Sequence, residues 1–359
     1  MALPVVLAGA GAMGRAWLAA IAADPAVELT GVADLDLGTA RRAAPGLPVG
    51  TDVVALAAQT GARAVIDVTV PEAHHPVTTA ALLAGLPVLG EKPAADTLAR
   101  ALSLCAASEV SGQLFMVSQS RRWNPRLFRL RAMTARLGGV ASAGTDFFRA
   151  PHFGGFREQM AQPLLTDMAV HAFDAARFVL AAEPVEVTCR TWNPSWSWYA
   201  GDACAAAVFE MTGGARYVYH GSWCTPGSET SWNGVWRING EHGTATWDGE
   251  SEPAGPAADE PAGPPADGPV PPSEGIAGAL RVFADALATG TTPMGEIHEN
   301  VPSLAMVEAA IHSSDRGRPV TIGQVLDDAY AQAVTGEQQP DVRAALRGWP
   351  SARDRLGLG

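Results

Sequence analysis

An apolar run, Leu3–Ala8, leads straight into Gly9-Ala-Gly11-Ala12-Met13-Gly14, and a second apolar run ends on Asp34, twenty residues beyond the last of these glycines. A chain with this pattern has few folds open to it. In a strand–turn–helix unit, Gly9 allows the tight turn, Gly11 lets a pyrophosphate approach the backbone, and Gly14 lets helix and strand pack closely. The helix N-terminus, at Ala12 and Met13, then offers free amides to the phosphates. Asp34 accepts from the adenine ribose hydroxyls, with Leu35 beside it. Glycine is common here, at 38 residues, so the spacing alone is weak and its setting between strand and helix carries the reading. The alternative is a glycine-rich turn with no ligand. Asp34 favours NAD over NADP: at ~5 Å and an effective dielectric of about 20, a 2′-phosphate charge is repelled by roughly 3 kcal/mol. Arg41 and Arg42 could reach inward, which keeps NADP open.

The first 120 residues continue as short apolar strands alternating with helices. Strands are expected at 27–33, 48–49, 64–70, 87–89 and 114–118, and helices near 37–44, 52–59, 75–84 and 97–108. That alternation predicts a doubly wound parallel sheet of the Rossmann kind. Beyond residue 120 the texture changes to strands rich in Trp, Thr, Tyr and Val at 140–149, 185–192, 203–211, 215–223, 232–239 and 244–247, with a helix at 165–180 among them. This predicts an α+β domain over 121–359 on a mostly antiparallel sheet. Residues 253–272 hold eight prolines and neither Lys nor Arg, and read as a solvated loop. Helices are expected at 276–288, 300–313 and 322–334.

Composition excludes several classes. The net charge of −12 argues against nucleic-acid and anionic-membrane partners. No apolar run is long enough to span a membrane, and the first residues lack the charged leader of a signal peptide. Four scattered cysteines, Cys105, Cys189, Cys204 and Cys224, read as reduced thiols of a cytoplasmic protein. His74, His220, His242, His298 and His312 show no metal-ligand spacing, so no metal site is expected.

Of 25 basic residues only Lys92 is a lysine. Where composition favours arginine, a retained lysine marks either chance survival or a site where a compact ammonium that can pass a proton is required. Lys92 lies in Glu91-Lys92-Pro93 at the carboxyl end of the fifth strand. Ligands of such sheets bind at that edge, which favours the second reading. Asp167 and His171 are four apart on the expected 165–180 helix, with Thr166 placed to cap it, so the carboxylate and imidazole share a face and can do acid–base work. A capping Asp and a structural His are the plainer alternative.

Together these pieces resemble the Gfo/Idh/MocA oxidoreductases, through GAGAMG at 9–14, TVPEAHHP at 69–76, AGLPVLGEKP at 84–93, SRRWNP at 120–125, the D-x-x-x-H pair at 167 and 171, and AAIHSSDRGRPV at 309–320. The resemblance implies that Lys92, Asp167 and His171 form the catalytic group. It implies that Thr69, Pro71, His75, Glu91, Lys92 and Arg122 line the cofactor site, and that Arg122 can also reach substrate. The stretch before Asp167, Pro163-Leu164-Leu165-Thr166, lacks the family's usual glycines, and Ala169 stands where a glycine is usual. His152 is a further candidate for the substrate site. Trp192, Trp196, Trp198 and Tyr199 form a cluster suited to stacking on sugars or to an ordinary core.

The expected activity is NAD-dependent hydride transfer from a hydroxyl of a sugar, glycoside or cyclitol. Two rivals are a glycosidase or lyase that oxidises its substrate transiently and a non-catalytic NAD sensor. Trp223, Trp232, Trp236 and Trp247 are expected to pack on a helix or a second subunit, and a homodimer or homotetramer through the second sheet is expected, the resemblance pointing the same way.

Overall fold

The structure is a computed structural model that describes residues 2–256 and 273–358. Of the proline-rich stretch at 253–272, residues 257–272 lie outside the described residues. The chain forms two compact units. One comprises Met1–Trp123, Pro271–Val301 and Asp327–Gly359, the other Asn124–Val270 and Pro302–Leu326. The division read from sequence texture is a single cut at 120. Of the C-terminal segments, 271–301 and 327–359 fall in the first unit and 302–326 in the second.

In the first unit, β1 (Leu3–Ala8), α1 (Ala12–Ala23), β2 (Val27–Ala33), α2 (Leu37–Ala43), β3 (Val49–Gly50), α3 (Val53–Thr60), β4 (Ala64–Asp67), α4 (Pro71–Leu83), β5 (Val88–Glu91), α5 (Leu98–Ser111) and β6 (Phe115–Ser118) alternate as expected. The sheet order is β3-β2-β1-β4-β5-β6 and every pairing is parallel. Val5, Val6, Leu7, Val65, Ile66 and Leu89 have no exposed surface. Such continuous apolar runs are what a sheet covered on both faces requires. The chain leaves β1 in one direction across the sheet and β4 in the other, so the crevice between their carboxyl ends is the switch point where ligands of this fold bind.

Among the boundaries that differ from expectation, two lie beside the switch point. β4 stops at Asp67 and not at Val70, because the Asp67 carboxylate accepts from the amide and hydroxyl of Thr69 (3.1 and 2.7 Å) and turns the chain. α4 begins at Pro71, four residues earlier than expected, since a proline at the first helical position gives up no hydrogen bond.

The second unit carries α6 (Pro125–Thr134), β7 (Val140–Phe148), α7 (Val170–Leu180), β8 (Pro184–Trp192), β9 (Cys204–Met211), β10 (Arg216–Ser222), β11 (Val235–Gly240), β12 (Gly243–Trp247) and β13 (Val320–Thr321). The sheet order is β12-β11-β7-β10-β9-β8-β13, and all pairings but β7 with β10 are antiparallel. One face packs under α7: Phe173 meets Phe209 at 4.8 Å and Tyr219 at 5.4 Å between ring centroids. Trp236 stacks on Tyr217 within this core, and Trp223, Trp236 and Trp247 are 1–3% exposed. These three therefore belong to the chain's own interior and not to a subunit contact. The opposite face is open, with Val208, Val218 and Val235 each about two-fifths exposed and Val218 paired directly with Val208. The later helices are α8 (Gly275–Thr289), α9 (Ile297–Arg316), α10 (Ile322–Gly336), α11 (Pro340–Gly348) and α12 (Ala352–Arg355).

Candidate active site

In the first unit the glycine turn has the geometry that a dinucleotide needs. Gly9 has φ +97°, and a Cβ there would lie 2.6 Å from the Val68 carbonyl oxygen. A Cβ on Gly14 would lie 2.2 Å from the Gly9 carbonyl oxygen, whereas one on Gly11 would meet nothing within 4 Å. Gly9 and Gly14 are thus fixed by packing, and Gly11 faces open space. It is the N-cap of α1 and carries no side chain to satisfy the first amides, and Gly11, Ala12 and Met13 are exposed. The Asp34 carboxylate accepts from the Ala10 amide through one oxygen and the Asp36 amide through the other, both at 2.8 Å. This holds it beside the turn. Arg42 is directed to Thr39 (2.7 Å) and Asp36 (3.7 Å). Leu35 (91% exposed) and Val70 (56%) put apolar side chains on the loops after β2 and β4, and Met13 (41%) puts one on the first turn of α1, around the switch point. The residues present fit NAD.

Lys92 follows β5, and the Lys92–Pro93 peptide is cis. Glu91 is buried and accepts from the Trp17 indole of α1 (2.8 Å) and the Lys92 amide (3.1 Å). Burial pushes its carboxyl up, opposed by the Trp17 bond and the Lys92 charge. Its position makes it a brace between α1 and Lys92. His74 is also buried, its Nδ1 2.7 Å from the Pro93 carbonyl oxygen and its Nε2 3.1 Å from that of Thr69. His74 thus ties the Thr69 turn to the backbone beside Lys92. His75 lies 3.6 Å from Glu337, and burial lowers its pKa. Asp67 is fully buried, with the Thr78 hydroxyl at 2.9 Å; burial pushes its carboxyl up against the opposing charge of His74. Arg122 is buried and donates to Glu299 at 2.9 Å, while Glu299 also accepts from the Gly295 amide at 2.8 Å.

In the second unit, Asp167 and His171 do not share one α-helix. Leu164–Ala169 is a π-helical segment that passes into α7 at Val170, so Asp167 lies on the π turn and His171 in the first turn of α7. Such insertions are frequent at functional sites. Thr166 does not cap: its amide donates to Gln162, inside the turn. The Asp167 carboxylate accepts from Arg157 Nε at 2.8 Å. Arg157 sits on a short 3₁₀ stretch, Gly155–Gln159, and nothing in sequence spacing marks it. His171 is buried. His152 is exposed, its ring stacked on Trp198 at 3.7 Å between centroids. No group of three or more His, Cys, Asp or Glu among the described residues is arranged to hold a metal.

Two family models match in sequence. Residues 3–119 match an oxidoreductase family with an NAD-binding Rossmann fold, and residues 129–246 match the GFO/IDH/MocA C-terminal domain. The uncharacterized protein y4oX of Sinorhizobium fredii is 28% identical over 91% of this chain and 97% of its own length. A D-apiose dehydrogenase of Rhizobium rhizogenes is 26% identical over 77% and 84%. Inositol 2-dehydrogenase 4 of Saccharopolyspora erythraea is 32% identical, over 52% of this chain and 57% of that protein. An oxidoreductase from Agrobacterium radiobacter, solved with NAD+, L-tartaric acid and magnesium, superposes with TM-score 0.79 at 21% identity, over 91% of this chain and all of that one. The glycine turn, Asp34 at the end of β2, Lys92 after β5, the π turn bearing Asp167 and the mixed seven-stranded sheet thus occur in a chain matched in both halves: it belongs to the Gfo/Idh/MocA family of NAD-binding oxidoreductases.

Proposed function

We propose that the protein is a cytoplasmic NAD-dependent dehydrogenase acting on a hydroxyl of a sugar, glycoside or cyclitol, with Lys92, Asp167 and His171 as its catalytic residues. Bound NAD supplies the hydride acceptor. As the carbinol carbon loses hydride, His171 takes the hydroxyl proton as general base. Lys92 donates a hydrogen bond to the oxygen as its negative charge develops, and Asp167, held by Arg157, orients the substrate hydroxyls. The relatives named for apiose and inositol dehydrogenation support the substrate class. The four thiols are free and buried, in keeping with a reducing compartment.

The observation that carries this reading is the placement of the chain's one lysine at the carboxyl end of β5. Its amide is fixed by a buried glutamate that also holds the helix opening at the glycine turn. NADH formation at 340 nm across sugars, inositols and glycosides tests it. Lys92→Arg should fold and bind NAD normally yet lose roughly 10²–10⁴ in turnover, the span for a positioned acid–base group. Turnover near that of the wild type would remove Lys92 from the mechanism.

A further inference from the structure

We propose that the substrate is a glycoside, a sugar whose anomeric oxygen carries a second ring, and that this ring lies on an aromatic shelf of the second unit continuous with Asp167. The proposal rests on the dehydrogenase reading above. The shelf is built from two segments, 152–157 and 196–198. Phe153 and Phe156 are about half exposed and Trp196 is 65% exposed. These rings are held in place. The Trp196 indole donates to the Cys224 carbonyl at 3.1 Å, and His152 stacks on Trp198 with 20° between planes. The two segments are joined beneath by Tyr199, buried, whose hydroxyl donates to the Pro151 carbonyl at 3.0 Å, and by the Ala200 amide on the Glu158 carbonyl at 2.8 Å.

Arg157 connects this shelf to the reacting centre. Its Nε donates to Asp167, and its guanidinium lies 4.8 Å from the Phe156 centroid and 5.4 Å from that of Phe153. A sugar whose hydroxyls are oriented by Asp167 therefore has pinned aromatic faces within one ring's reach. Such faces stack on aryl groups and on the C–H faces of sugars. Charge argues for a neutral occupant. Arg157 is paired with Asp167, and Arg149, which lies over Trp232, is paired with Glu229 at 3.2 Å. Neither leaves an uncompensated cation to hold a phosphate or carboxylate. A one-ring cyclitol would leave the shelf unused.

Matched sets test this: glucose, galactose, mannose and xylose, each as free sugar, methyl glycoside, phenyl glycoside and disaccharide. Turnover is read as NADH with the wild type. Binding is read by saturation-transfer NMR with the Lys92→Arg protein and NAD. The two-ring member of the accepted set should exceed its methyl glycoside about tenfold in kcat/KM, chiefly through KM. Its second-ring protons should receive the strongest saturation. The Phe153→Ala/Phe156→Ala double variant should bring the two-ring to one-ring ratio near one. Preference between phenyl glycoside and disaccharide shows whether an aryl group or a sugar occupies the shelf. Equal kcat/KM for methyl and two-ring glycosides overturns the proposal while leaving the dehydrogenase reading standing. Saturation of the second ring without NADH from any set supports the shelf and overturns dehydrogenation. No saturation from any two-ring ligand overturns the shelf, as does a drop in oligomer mass for the double variant, which would make the rings a subunit contact.

Discussion

Adding one methyl group at either of two glycines three residues apart should break different things. At Gly14 the new Cβ falls 2.2 Å from the Gly9 carbonyl oxygen, more than 1 Å inside ordinary contact, and its neighbour is backbone that cannot swing away. Gly14→Ala must push α1 off β1 or distort the turn, an overpacking cost of ~1–3 kcal/mol or more. For a unit of this size that lowers Tm by roughly 2–12 °C. At Gly11 the Cβ meets nothing within 4 Å, and φ −70°, ψ −156° is open to alanine. The weaker N-cap costs under about 1 kcal/mol, and the stiffer unfolded chain returns ~0.4–1 kcal/mol, so Tm should move by less than about 2 °C. The open space, however, is where phosphate must approach the amides. Gly11→Ala should raise the NAD dissociation constant at least about tenfold, ~1.4 kcal/mol. Differential scanning fluorimetry and isothermal titration with NAD read the two effects separately. Wild-type NAD affinity in Gly11→Ala would refute the placement of the pyrophosphate, and an unchanged Tm in Gly14→Ala would refute the packing argument.

Other outcomes follow from named contacts. Asp34→Ala should weaken NAD binding and narrow the preference over NADP, since it removes both the ribose acceptor and the repulsion; an unchanged NAD/NADP ratio of kcat/KM would assign cofactor choice to another residue. His298 lies between Glu296 (2.8 Å) and Glu109 (2.7 Å), and Glu109 also holds Trp349 and Arg355 of the C-terminal segment. Burial lowers the His298 pKa, but the two carboxylates outweigh it and the net shift is up from 6.5. Its contribution to stability is therefore complete below about pH 6.5 and fades as pH rises through the raised value. Glu109, held below its usual range against burial by Arg355, His298 and Trp349, contributes in the opposite sense, losing its share as the medium becomes acid. His298→Gln should accordingly flatten the fall of Tm on the alkaline side, and a wild-type slope in that variant would exclude the cluster. A homo-oligomer, if formed through the second sheet, should use its open face: Val208→Asp/Val218→Asp should lower the mass seen by light scattering with folding intact, whereas Trp236→Asp should unfold the chain. A mass near 37 kDa for the wild type at every dilution would remove the oligomer.

The glycine turn and the carboxylate beside it are legible in sequence. A turn that needs a left-handed residue, an open approach and a close helix contact admits glycine at three fixed offsets, and an acidic residue ending the next strand is equally local. Lys92 was legible because composition isolated it and the strand pattern placed it. The local backbone around Asp167 is not legible. The D-x-x-x-H spacing predicts one α-helix, whereas Asp167 lies on a π turn and His171 in the α-helix that follows. The role of His74 is equally hidden: neighbouring residues on a helix point 100° apart, and only packing shows that His74 is the one held against the backbone beside Lys92. Arg157 had no signal at all, since an ion pair ten residues away in an irregular stretch leaves no periodicity.

Sequence by itself determined the alternating strands and helices of the first 120 residues, because strand and helix periods, turn glycines and capping residues act over a few residues. It also determined the cofactor turn, where chemistry and backbone geometry coincide. Tertiary structure decided where the large aromatics go. Trp223, Trp236 and Trp247 went into the chain's own core, leaving valines on the open face, and His152, Phe153, Phe156 and Trp196 stayed at the surface. A ring has the same apolar area whichever side of the strand or loop it leaves. Only the layers packed against that side settle whether the ring is interior or surface.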